Sequence, residues 1–342
     1  MNTIYDDIIY SLQKSGGISV YWQMLEDFIS VDRRLVYNNR TKNIFYKERE
    51  NEQVFESKLF FERYRSVFFD REVPFIFHSS YYRICRNKNA VNITTVHDFT
   101  YELFRKDLIS ALHKIQKKNA VMHSDGIICI SENTKRDLYK YYPNYKGKVK
   151  VIYHGYDDKT FFFNKKEKIN NVLFVGSRTS YKGFNFTVSL LSRIPNLNFK
   201  IVGGGELLES ENLLLNTMIP NRYEKLGFVS NKELARLYNE SFALMYSSEY
   251  EGFGFPVIEA QACGCPVICQ KKSSIPEISG DKCVYVDSNN LDESVAEINK
   301  LFDLHFYRDM QKAGLENVKR FSWEKCVKET LNFYEECFNQ KP

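Results

Sequence analysis

Short apolar runs that close on glycine or a polar turn alternate with amphipathic stretches along the whole chain. In the first half, Ile4–Tyr5, Phe75–His78, Val91–Val96, Gly126–Ile130 and Val149–Tyr153 read as strands. Ser19–Phe28, Leu103–Val121 and Ser131–Tyr141 read as helices between them. The alternation sharpens in the second half. Asn171–Val175 is a strand closing on Gly176, with a helix from Phe184 to Leu191. Phe199–Val202 closes on Gly203, Gly204 and Gly205. Lys225–Val229, Ala243–Tyr246, Pro266–Cys269 and Cys283–Val286 follow as strands, with helices over Asn231–Glu240 and Phe255–Cys263. Such alternation predicts an α/β protein whose parallel sheets carry helices on both faces. Strands that end in glycine ahead of a helix place ligand sites at their carboxyl ends. The charged and aromatic stretch Tyr46–Phe69 yields no definite element.

Composition turns this pattern into two domains. At about 150 residues per domain, 342 residues suggest a pair, each able to bury a core. The weakly periodic stretch Asp157–Asn170 marks the boundary, giving a first domain over residues 1–156 and a second over 157–322. Residues 323–342 form a terminal helix with an apolar stripe of Trp323, Val327, Leu331 and Tyr334. That stripe suits either domain and is assigned to the first. An aromatic content of 15% argues against disorder. No apolar run is long enough for a transmembrane helix, and Met1–Asp7 has no basic, then apolar, leader pattern. A soluble cytoplasmic protein is expected.

Charge separates the halves. Residues 1–150 hold 25 Lys and Arg against 18 Asp and Glu, whereas the remainder holds 23 against 25. A basic first half suits an anionic partner or a plain solvated surface. Nucleic acid is not that partner, because no aromatic–basic binding motif is present. The eight cysteines form no disulfide framework. Cys263, Cys265 and Cys269 read as a helix end entering a buried strand, not as a metal knuckle. No metal site is expected.

The densest chemistry lies in Ser247–Ile268. Glu251 stands on a loop, a turn of Gly252, Phe253 and Gly254 opens a helix, and Glu259 lies two turns into it. A glycine turn at a helix start suits an anion, and two such carboxylates can bind hydroxyls on a ribose and on a sugar. In Gly176–Gly183, Arg178 and Lys182 flank a short turn after a strand, and two cations at that spacing can clamp a diphosphate. Gly16 and Gly17 form a turn ahead of an amphipathic helix. His97 and Asp98 end an apolar strand, where a neutral imidazole can reach a sugar hydroxyl.

The Glu251–Glu259 segment, with its turn, its helix and the following Ala262–Ile268 stretch, resembles the Glu-x7-Glu region of the family 4 retaining glycosyltransferases. Ser274–Asp281 is similar to that family's Pro-Glu-x-x-Gly loop, and Gly176–Gly183 to its Gly-x-Arg-x-x-x-Lys-Gly stretch. The resemblance implies a GT-B fold, two Rossmann-like doubly wound domains facing a central cleft. It gives Arg178 and Lys182 the donor diphosphate, and brings the Gly16–Gly17 loop close to the donor phosphates. It sets His97 on the donor sugar, and Asp98 either orients His97 or meets the acceptor. Val202–Glu206 and Gly227–Ser230 resemble segments beside the nucleotide base, which places Phe228 and Val229 in the donor site with Glu251, Gly252, Phe253, Gly254 and Glu259.

The implied reaction moves a hexose from a nucleoside diphosphate sugar with retention. His97, Arg178, Lys182 and Glu251 are its catalytic candidates. It needs no resident cofactor and, with no Asp-x-Asp triplet in the chain, no metal. The opening Ile4–Ser19 looks like members that build bacterial O-antigen or capsule, which often use GDP-mannose and a lipid-linked saccharide acceptor. Two other readings are a GT-B sugar-nucleotide epimerase and a silent carbohydrate-binding protein. Around Phe104–Lys118, Lys106, Lys114, Lys117 and Lys118 accompany an apolar stripe of Leu108, Leu112 and Ile115. This helix either docks on the anionic cytoplasmic face of the inner membrane or packs its stripe inward.

Overall fold

A computed structural model describes residues 1–37, 42–55 and 62–340. The chain divides into two compact units, Met1–Gly155 together with the chain from Ser322 onward, and Tyr156–Phe321. The first unit contains strands β1 (Thr3–Asp6), β2 (Arg33–Tyr37), β3 (Glu52–Phe55), β4 (Phe75–Ser79), β5 (Ala90–Val96), β6 (Gly126–Cys129) and β7 (Lys148–Val151). They form one sheet in the order β3-β2-β1-β4-β5-β6-β7, and every pairing is parallel. The second unit has β8 (Ile169–Val175), β9 (Asn198–Val202), β10 (Tyr223–Gly227), β11 (Ser241–Tyr246), β12 (Val267–Gln270) and β13 (Val284–Val286). Its parallel sheet runs β10-β9-β8-β11-β12-β13. Strands such as Phe75–Ser79 and Ser241–Tyr246 are buried at every position, because helices cover both faces of each sheet.

Strand order reverses between β1 and β4 in the first sheet and between β8 and β11 in the second. At such a reversal the loops leaving the two central strands diverge to opposite faces and open a crevice at their carboxyl ends. The two richest motifs of the chain follow β8 and β11, so topology alone makes them neighbours.

Several expected elements shift. The strand expected over Lys225–Val229 is Tyr223–Gly227, which leaves Phe228 and Val229 on the loop beyond it. The helix expected over Leu103–Val121 is two helices, Thr100–Phe104 and Leu108–Met122. Arg105 is extended between them, and the Asp107 carboxylate accepts from Ser110 N at 2.9 Å as a fresh N-cap. Strand Arg33–Tyr37 and helices Glu209–Met218, Leu291–Asn299 and Leu304–Asn317 were not anticipated. Within Tyr46–Phe69, the described residues hold β3 and a single turn at Glu62–Tyr64.

The terminal helix Trp323–Phe338 packs on the helix Gly17–Phe28 and on β4 and β5. It comes so near β6 that a Cβ on Gly126 would sit 2.5 Å from Cys337 Sγ. Tyr334 hydroxyl, on this helix, lies 3.1 Å from Tyr5 hydroxyl and 2.5 Å from His78 Nδ1. His78 Nε2 continues the chain to Thr95 Oγ1 at 2.9 Å, and Tyr21 hydroxyl closes it at 3.1 Å. Burial pushes the His78 imidazole down to about 3, so this network is neutral.

Candidate active site

In the second unit the loops after β8 and β11 interlock. Gly183 caps the helix Phe184–Ser192 with φ of 71°, and a Cβ there would stand 2.3 Å from Ser247 O. Only glycine permits both this backbone and this approach. Ser247 Oγ donates to the carbonyls of Lys182 and Gly183 at 3.0 Å each, and Glu249 N donates to Tyr181 O at 2.7 Å. Lys182 and Glu251 are thereby brought face to face, with Lys182 Nζ 2.5 Å from Glu251 Oε1. Both side chains are mostly enclosed but keep an opening to solvent. The Lys182 ammonium also lies 5.9 Å from the ring centre of Tyr246.

Glu251 is fixed from behind by residues that the motif reading did not single out. Its N–H donates to Ser273 Oγ at 2.9 Å, and Ser274 Oγ donates to Glu251 O and Phe253 O. Ser274 opens the stretch already matched to the Pro-Glu-x-x-Gly loop, so a signal for it existed. Gly254, with no side chain to cap a helix, stands at the N-cap of Phe255–Ala262 with φ of 114°. The positive end of that helix therefore opens beside the Lys182–Glu251 pair. Gly252 and Phe253 are buried in the turn between them.

Glu259 lies on the same helix and is half-buried. Burial pushes its carboxyl up to about 7, and Asp157 adds to the rise, while the Tyr238 hydroxyl at 3.3 Å partly offsets it. It can therefore offer or accept a proton-sharing contact near neutrality.

Arg178 departs from its expected role. Its Nε binds Glu211 Oε2 at 2.9 Å, Nη1 donates to Gly203 O, and Nη2 donates to the carbonyls of Gly205 and Glu206. With a side chain 3% exposed and its donors so engaged, it cannot form a bidentate diphosphate clamp in this conformation. In this conformation it ties the loop after β9 to the loop after β8. Gly203 N donates to Gly227 O at 2.6 Å, extending the tie to the loop that carries Phe228 and Val229. Phe228 is exposed there, a ring face open to a planar ligand, and Val229 is half-buried.

The remaining candidates belong to the first unit. Gly16 caps the helix Gly17–Phe28, and Tyr21 of that helix packs edge-on against the His97 ring at 5.4 Å. His97 follows β5 and is buried. Desolvation, reinforced by Lys117 and opposed by Asp98, lowers its imidazole to about 4, so it is neutral at ordinary pH. Asp98 Oδ1 accepts from Thr100 N at 3.0 Å, a local turn contact that leaves the half-buried carboxylate at the end of the strand.

Residues 59–160 match the family described as Glycosyltransferase Family 4, and residues 155–317 match Glycosyl transferases group 1. The O-antigen chain mannosyltransferase B of Escherichia coli is 40% identical over 110 residues, 32% of this chain and 29% of that protein. The O-antigen chain mannosyltransferase RfbU of Salmonella typhimurium is 27% identical, with 66% of each chain covered. The aligned part spans less than two thirds of the length of these curated relatives. In fold, the chain superposes on Anabaena Alr3699/HepE, solved with UDP and glucose, with a TM-score of 0.72. That match has 14% identity and covers 98% of this chain and 100% of the other. Both families matched in succession along two parallel-sheet units, together with the relatives named O-antigen mannosyltransferases, support a family 4-like glycosyltransferase of the GT-B fold.

Proposed function

We propose that the protein is a retaining hexosyltransferase, with mannose as the transferred sugar, acting in the assembly of a bacterial O-antigen or capsule. The observation that carries this reading is the Lys182–Glu251 pair beside the glycine-capped helix start, at the strand-order reversal of the second sheet. The donor is a nucleoside diphosphate sugar; the relatives named as O-antigen mannosyltransferases support mannose as its sugar, and GDP is our choice of nucleotide.

The bond between the anomeric carbon and the diphosphate oxygen breaks as the acceptor oxygen bonds to that carbon on the same face. The acceptor proton passes to the departing diphosphate. Lys182 and the helix start at Gly254 stabilise the negative charge that develops on the leaving group. Glu251 holds Lys182 and accepts from sugar hydroxyls, and Glu259 meets the ribose. His97, neutral, donates to a hydroxyl of the donor sugar, and Asp98 meets the acceptor saccharide. The reading requires no metal and a cytoplasmic site of action, where nucleotide sugars are made.

The test is incubation with a panel of labelled nucleotide sugars, with and without EDTA, reading nucleoside diphosphate release and thermal stabilisation. GDP-mannose is expected to stabilise the protein and to turn over equally in EDTA. No stabilisation and no turnover with any sugar overturns the transferase reading, and loss of turnover in EDTA overturns metal independence.

A further inference from the structure

The helix Leu108–Met122 is inside out. Its buried side consists of Ser110, His113, Gln116, Lys117, Ala120 and Val121. Lys117 is 0% exposed, and its Nζ binds Glu102 Oε2 and Asp98 O at 2.8 Å each. Gln116 Nε2 donates to backbone carbonyls that include Tyr82 O at 3.3 Å. The outward side is apolar instead, with Leu108 86%, Ile109 67% and Ile115 65% exposed. This corrects the expectation that Lys117 joins the cationic face, and it excludes inward packing of Leu108, Leu112 and Ile115.

The apolar surface continues past the helix. Leu112 and Ile115 form one side of a groove of about 740 Å³ that also includes Phe68, itself 70% exposed, with Arg65 and Arg86 on its lining. The preceding helix adds Leu103 and Phe104. Charge around the patch has one dominant sign. Lys114 and Lys118 lie on the helix, Arg105 and Lys106 precede it, and Leu108–Met122 contains no acidic residue. The acidic neighbours are each engaged: Asp107 caps the helix, Glu102 pairs with Lys117, and Glu62 pairs with Arg83 and Arg65.

We propose that this face of the first unit docks on an anionic phospholipid bilayer, with Leu108, Ile109, Ile115 and Phe68 entering the interface and the flanking cations contacting lipid phosphates. An exposed apolar stripe needs an apolar cover, and its basic border selects a negatively charged one. A second copy of the chain would bring the same cations against each other, which the bilayer avoids. Lys117, on the buried side of this helix, binds Asp98 O at 2.8 Å, so a docked face keeps the carboxyl end of β5 one helix diameter, roughly 10 Å, behind the lipid surface.

The experiment is co-flotation of the purified full chain with vesicles of phosphatidylcholine alone or mixed with phosphatidylglycerol. It is repeated for L108D/I115D, K114E/K118E and, as a control, L304D on an exposed apolar residue of the other unit. Circular dichroism and molar mass by light scattering are read for each. Wild type and L304D are expected to float with the anionic vesicles and to be released by salt. L108D/I115D should fall by about ten-fold or more, and K114E/K118E should lose about five-fold or more of its anionic binding. Equal flotation of wild type and a folded L108D/I115D overturns the proposal. So does absence of flotation, including the case of a wild-type dimer that L108D/I115D dissociates, which assigns the face to a second copy. None of these readings depends on sugar transfer, so they stand or fall apart from the transferase reading.

Discussion

Lys182 Nζ and Glu251 Oε1 lie 2.5 Å apart although 69 residues separate them in the chain. Adjacent strands β8 and β11 deliver them, and Ser247 locks the two loops together. Residues that act as one unit lose function non-additively. K182A is therefore expected to lower kcat/KM by about 100-fold or more, as expected for removing charge stabilisation at a leaving group. E251Q should produce a similar loss, and the double variant should be little worse than either single one. Steady-state kinetics of the full cycle checks this, and strictly multiplicative losses would show that the residues act separately.

Arg178 and Glu211 form a buried ion pair behind the same site. If Arg178 positions the loop after β9, its partner matters as much as itself. R178A is expected to destabilise the protein by about 2–4 kcal/mol, and E211Q should weaken donor binding by releasing Arg178. Urea unfolding and donor titration of both variants decide this. A stable, near-normal E211Q beside an inactive R178A would return Arg178 to the diphosphate.

What the sequence pattern disclosed was local. The glycine that ends each strand and the helix that follows it are encoded within a few residues. For this reason the loops at Gly176–Gly183 and Gly252–Gly254 could be located from the chain alone. The partner of Arg178 could not, because Glu211 lies 33 residues away on a helix whose weak periodicity concealed it. Lys117 illustrates a second limit. Periodicity tells that Leu108, Leu112 and Ile115 share a helix face, but not which face the neighbouring elements cover. Glu102 and the Asp98 carbonyl turn the polar side inward. Strand Arg33–Tyr37 hides behind its two arginines; Arg34 is buried only because Glu26 pairs with it at 2.9 Å.

Tyr334 gives a measurable account of why the terminal helix belongs to the first unit. Its hydroxyl joins Tyr5 to His78 in a fully buried site. Y334F keeps the ring packing and leaves the polar atoms of Tyr5 and His78 short of a partner. A loss of about 1–3 kcal/mol is expected in urea unfolding. Loss of less than a few tenths of a kcal/mol would show that water replaces the hydroxyl.

Glu259 supplies the pH-dependent prediction. Its carboxyl titrates at about 7 in the folded protein, against 4.5 for the ordinary group. Between those values the native state holds a proton that the unfolded chain releases, so this residue makes stability fall as pH rises through the window. The effect is bounded at roughly 3 kcal/mol, and partial exposure reduces it. Buried His97 works in the opposite direction, since its imidazole, lowered to about 4, withdraws stability as pH falls below the ordinary 6.5. E259Q retains His97 and removes only the carboxyl. Relative to E259Q, wild type is therefore expected to lose stability between about pH 5 and about pH 8 in paired urea unfolding curves. Donor affinity should move the other way if the ionised carboxylate accepts ribose hydroxyls, tightening as pH climbs through about 7 in wild type and staying flat in E259Q. A stability difference that does not change with pH would mean that Glu259 titrates as an ordinary surface carboxyl, and the enclosed site drawn around it would then be wrong.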